Sequence, residues 1–163
     1  MIKFDVGQRK WDLFHSLLKK ISFLNKTSAE AVNKTFPSTY NPKPYKPKTE
    51  VSLFKADVDV EDVFAHVYTE GETEMVGRWL VRKSDIIDPK TGKYLTPEEI
   101  QKKFALPHKP THVVKVKMPK DEEFWEGLVN HGNSSYNGDV MQYQFKKETK
   151  LLNPAWFTNK QSL

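Results

Sequence analysis

Cysteine is absent from the 163-residue chain. That excludes disulfides, thiolate nucleophiles and cysteine-ligated zinc. A thiol-free domain tolerates oxidising and reducing compartments alike, which suits one that crosses an envelope before acting in a cytosol. Long apolar runs are missing too. No stretch approaches the ~18 residues that a membrane-spanning helix needs, so no stable membrane insertion is expected. Met1 is not followed by a basic stretch and an apolar core, so no signal peptide is visible. The export signal of a secreted form is then expected in another part of a longer polypeptide. Gly-x-Gly-x-x-Gly, the Walker loop, the Gly-x-Ser-x-Gly elbow and His-Glu-x-x-His are all lacking. The five histidines fit no metal-ligand spacing, so no metal is expected. Apolar residues make up 37% of the chain and the mean hydropathy is −0.67, which predicts that part of it is exposed or extended.

The net charge of +5 is unevenly spread. Residues 1–50 hold 10 Lys/Arg against 4 Asp/Glu, whereas residues 51–163 hold 16 against 17. A basic face is the electrostatic footprint of a nucleic-acid binder. Here the excess is N-terminal, outside the part that carries the candidate chemistry.

Trp11, Phe14, Leu17, Leu18, Ile21 and Leu24 recur at helical spacing, which predicts a helix over residues 6–25. Asp5 with Gln8 would cap it, Asn25 would end it, and a short second helix could start at Thr27. Four prolines between Pro37 and Pro47 remove donors and fix φ, so residues 37–50 read as an extended Pro/Lys-rich linker. The expected division is residues 1–36 as a helical connecting or delivery segment, 37–50 as linker and 51–163 as the catalytic domain. Beyond the linker the pattern alternates. It predicts strands at 51–56, 63–69, 77–82, 111–118, 125–129 and 139–145, with a seventh near 155–158. Thr96-Pro97-Glu98-Glu99 opens one internal helix with a capping box, Ile100 and Phe104 form its buried stripe, and Pro107 stops it. The expected fold is α+β, with a mainly antiparallel sheet of six to seven short strands and one internal helix behind an N-terminal helical segment.

Alternation separates the strand faces. His66 and Tyr68 share a face with Phe64. Arg78 and Arg82 share one with Leu80. Gln142 and Gln144 lie opposite Met141, Tyr143 and Phe145. Two arginines on one face could clamp a pyrophosphate through bidentate guanidinium contacts. His66 and Tyr68 could hold a ribose or stack on a nicotinamide, and a late glutamine could orient water. Gln144 joins the arginines as a candidate cofactor contact. His112 reads as packing, and Glu70, Glu72 and Glu74 read as a solvated turn. The polar loop from His131 to Gly138 could close over a ligand.

Gly77-Arg78-Trp79, Leu106-Pro107, the valine-rich strand from Val113 to Pro119, and Gly138 followed by Gln142-Tyr143 occur in an order that resembles the C-terminal toxin domains of bacterial polymorphic and contact-dependent toxins. Within these, the chain is similar to the necrotizing-toxin type of NAD glycohydrolase. The resemblance covers roughly residues 62–157. It implies an ADP-ribosyltransferase-like fold, NAD as substrate without a metal, and a secreted effector delivered into a target-cell cytoplasm and neutralised by a cognate immunity protein. Arg78 matches the arginine of the family's Gly-Arg strand, and Gln142 its late glutamine. Asp139-Val140-Met141 replaces the family's glycine-rich run, Phe104-Ala105 stands where it has an arginine, and His66 lies where related enzymes often place one. Hydrolysis and ADP-ribosyl transfer therefore both stay open. The rival readings are a metal-independent RNase toxin using His66, Arg78, Lys115, Lys117 and His112, and a non-enzymatic binding module.

Overall fold

The computed structural model describes residues 17–40, 42–132 and 134–163. Eight strands form one antiparallel sheet: β1 (Ile21–Ser28), β2 (Glu50–Ala56), β3 (Val60–Tyr68), β4 (Trp79–Arg82), β5 (His112–Met118), β6 (Glu123–Leu128), β7 (Met141–Phe145) and β8 (Phe157–Ser162). Their order is β1-β2-β6-β7-β4-β3-β5-β8. The α-helices are α1 (Ala29–Asn33) and α2 (Pro97–Phe104). The chain is thus α+β with an antiparallel sheet, and the described residues form eight strands where six to seven were expected.

The additional strand lies in the segment read as helical. The expected helix start falls outside the described residues, but Ile21–Ser28 is extended and pairs with β2, from Ile21 opposite Ala56 to Ser28 opposite Glu50. Apolar spacing misled because Leu24 is an extra residue at a register shift between Phe23 and Asn25, not a member of a buried stripe. Phe23 instead meets Phe54 edge to face across the pair at 5.9 Å. Helix α1 is capped one residue later than expected, by Ser28 in place of Thr27, because the Ser28 hydroxyl accepts from the Ala31 amide at 3.1 Å.

One face of the sheet gathers Phe64, Tyr68, Leu80, Val114, Val116, Phe124, Tyr143, Phe145 and Phe157. The rings of Phe145 and Phe157 meet at 6.2 Å. Their strands are four places apart in the sheet, which would separate them by ~19 Å if it were flat. The sheet is therefore curled about this cluster, and we call that face inner.

The outer face is covered at two places. Ile100 and Phe104 of α2 pack on Ala65, Val81 and Val113. The helix stands on the predicted signals: Thr96 and Glu99 exchange both capping-box bonds, Pro97 opens the first turn, and Ala105 ends it with φ of 51°. The second cover is Val32 and Phe36 with Tyr45, packed against Val51, Trp79 and Trp125. Tyr45 comes from the Pro/Lys-rich stretch, is fully buried and bridges to Val129. Tyr45 thus ties this stretch to the sheet, and β1 and β2 pair on either side of it.

Candidate functional site

The six residues singled out from the sequence divide between the two faces. Gln142 and Gln144 are outer. Gln142 donates to the Pro44 carbonyl at 2.9 Å. With its oxygen toward Arg78, the buried Gln144 amide donates to the Tyr45 hydroxyl at 2.8 Å and accepts from Arg78 Nη2 at 2.9 Å. Arg78 also donates through Nε and Nη2 to the Phe145 carbonyl at 3.2 and 3.1 Å, and through Nη2 to the Lys146 carbonyl at 3.0 Å. Its guanidinium lies 5.8 Å from the Phe36 ring centroid. A pyrophosphate would have to displace these partners. Arg78→Ala is expected to destabilise the domain by about 1–3 kcal/mol, because the Phe145 and Lys146 carbonyls lose their donors. Urea denaturation measures this.

His66, Tyr68 and Arg82 lie on the inner side with Phe64, and Arg82 is paired with Phe64 in the ladder. Its Nε is 3.4 Å from the Asp85 carboxylate. Glu126 is paired with Tyr143 across β6 and β7. Burial holds the Glu126 carboxyl above its ordinary 4.5, while Tyr143 and Arg82 pull it back. The folded protein therefore keeps this proton in a pH window where the unfolded chain has lost it. Stability from this group falls as pH rises from about 4.5 through that window. Melting temperature should decline less over that interval in Glu126→Gln than in the unaltered chain.

At the other end of β3 the structure assembles side chains that the sequence reading left apart. The ladder sets Tyr68 opposite His112, and His112 opposite Ser162 of β8. The rings of His66, Tyr68 and His112 form a stack, with centroids 6.0 Å and then 5.4 Å apart. Glu70 lies two residues beyond the end of β3, and its amide donates to Thr111 Oγ1 at 2.9 Å. The same oxygen is 2.8 Å from His112 Nδ1. A Thr111 hydroxyl donating to Nδ1 leaves the Nε2 hydrogen directed at Glu70 Oε2, 3.5 Å away. Lys160 of β8 donates to Glu70 Oε1 at 2.8 Å. Lys160 first, and then His112, hold the Glu70 carboxyl below its ordinary range, so it is an anion at neutral pH. The Glu70 side chain is 58% exposed and that of His112 15% exposed, so the group opens to solvent along its carboxylate. The Tyr68 hydroxyl is buried near Lys160 and, after Glu70, helps hold that ammonium's proton affinity up.

The sequence pattern gives Tyr68 a site role in the NAD reading and His112 one in the RNase reading alone, with packing as its other role; it places Glu70 in a solvated turn and gives Lys160 no role. Their one available signal was position, each lying near the end of an extended run. The RNase candidates Lys115 and Lys117 pair with Asp62 at 2.6 Å and Asp59 at 3.3 Å. The loop from His131 to Gly138, with Lys46 and Asp139, borders a separate open cleft of about 320 Å³. No group of three or more His, Asp or Glu side chains arranged to hold a metal ion occurs among the described residues. Comparison of the chain with protein-family models, curated proteins and solved structures yields no match.

Proposed function

We propose that the chain is an NAD-consuming effector domain and that Tyr68, Glu70, His112 and Lys160 form its site. The observation that carries this reading is an ionised carboxylate, Glu70, held between an ammonium and an imidazole at the open end of an aromatic stack. Breaking the bond between nicotinamide and ribose leaves positive charge on the ribose ring. An anion fixed beside that ring stabilises the charge before the bond breaks completely. Nicotinamide departs with the bonding electron pair as a neutral molecule, so no acid is required. Water then adds to the sugar carbon and Glu70 takes its proton, giving ADP-ribose; another nucleophile in place of water gives ADP-ribosyl transfer. The His112 ring, stacked on Tyr68, would take nicotinamide on its other side, and Lys160 would supply a cation for the pyrophosphate. The effector role, with delivery into a target cell and a cognate immunity protein, rests on the sequence resemblance.

The test is to incubate the whole chain with NAD, and separately with tRNA, with and without His112→Ala. Nicotinamide release weakened by the substitution supports the reading. Salt-sensitive tRNA cleavage with intact NAD would replace it by the RNase reading.

A further inference from the structure

His66 is enclosed on all sides yet touches none of Glu70, His112 and Lys160 through its ring nitrogens. Nδ1 faces the Trp79 carbonyl at 2.7 Å and Nε2 faces the Glu74 carbonyl at 2.9 Å. Both partners are acceptors, so each nitrogen is used as a donor position, whereas a neutral imidazole carries one N–H. Burial lowers the imidazole's proton affinity below its ordinary level, while the two carbonyls oppose that shift. The ring is wedged between Tyr68 and Phe157. Its edge lies against Gly77, where a Cβ would stand 2.6 Å from His66 Cε1. The two carbonyls belong to one stretch, residues 69–78 and the first residue of β4. Glu70 is carried near its beginning, where Thr73 N and Glu72 N donate to the Thr69 carbonyl.

We propose that His66 is a positioning residue, a clamp with prongs on the Glu74 and Trp79 carbonyls that has one N–H to donate when neutral, and that by this bond and by packing on Gly77 it holds the loop of residues 69–78 against the inner face and keeps Glu70 beside His112 and Tyr68. It acts through the loop and does not touch substrate. Trp79 is fixed independently by its pairing with Gln144, so the prong on Glu74 is the one that governs the loop. Glycine at position 77 follows from the same contact, since its φ is not in the left-handed region and only the ring forbids a side chain. The proposal rests on the placement of the site at Glu70, and its test separates the two.

The test uses the whole chain with His66→Gln, which keeps one amide donor but cannot reach both carbonyls, and with Gly77→Ala, which leaves the histidine and displaces its ring. The first readout is backbone hydrogen exchange. In both variants the hydrogen-bonded amides of the loop, those of Glu70, Glu72 and Thr73, should exchange at least about tenfold faster, with protection of β3 and β5 retained. The second is the NMR chemical shift of the His112 ring at a fixed pH, which should move toward that seen in Glu70→Gln as the carboxylate drifts away. With NAD as substrate, kcat should fall and KM change little. Unchanged loop exchange in Gly77→Ala overturns the clamp. Faster exchange with the His112 ring shift unmoved overturns the link to Glu70. Because neither of those readouts needs turnover, a chain that leaves NAD intact defeats the proposed function without deciding the clamp.

Discussion

Tyr45→Ala is expected to cost about 3–5 kcal/mol of folding stability, the range for removing a fully buried aromatic ring. That is a large part of the ~5–15 kcal/mol a domain has in total. The ring is held from several directions. Its hydroxyl meets Gln144 at 2.8 Å, and its backbone exchanges hydrogen bonds with Asn33 at 3.0 and 2.9 Å. Its face lies on Gly127 of β6, where a Cβ would stand 2.5 Å from Tyr45 Cδ1. Tyr45→Phe keeps the ring and loses the hydroxyl contact alone, at about 1 kcal/mol. Denaturation of both variants therefore separates ring packing from hydrogen bonding. A loss below ~1 kcal/mol in Tyr45→Ala would mean that residues 37–50 behave as a tether after all, because an unpacked ring has little to lose.

Glu70→Gln is expected to lower kcat for NAD cleavage by about 10²–10³-fold, the usual effect of deleting one preorganised charge contact at a reacting centre. Stability should hardly change, since the pairs that Glu70 makes with Lys160 and His112 are solvent-exposed on the carboxylate side. Lys160→Ala should act differently and raise KM, as its ammonium is assigned to the pyrophosphate in both ground and transition states. Steady-state kinetics with NAD, beside a denaturation curve for each variant, would check both outcomes. Equal losses of activity and stability would indicate a scaffold role for Glu70.

Where sequence and structure agree, short-range chemistry decides. Helix α2 carries its start in Thr96, Pro97 and Glu99 and its end in the residues before Pro107, so nothing distant can move it. Strands β2, β3 and β5 alternate clearly and fell where expected. Strand β1 was hidden because the residues that make it a strand lie on β2, across the proline-rich stretch. Strand β8 shows a single buried residue, Phe157, and so has almost no pattern of its own. The prolines around Tyr45 described the local backbone well but said nothing of the side chain, whose burial depends on an absent Cβ at Gly127.

The site was less legible for the same reason. Alternation put His66 and Tyr68 on one face of their strand, and Arg78 with Arg82 and Leu80 on one face of the next. The Arg78 side chain turned instead to the Phe145 and Lys146 carbonyls and the Gln144 amide. Glu70, His112 and Lys160 come from three separate stretches that meet only through the register of β3, β5 and β8. No spacing within the chain reports that register.

The most direct measurement is nicotinamide release from NAD by the purified whole chain, followed by NMR with no protein acceptor present. The account predicts nicotinamide appearing with turnover, matched by ADP-ribose if water is the acceptor, and lost in Glu70→Gln. NAD left intact by a folded chain, with and without a cell lysate as a source of acceptors, would contradict it.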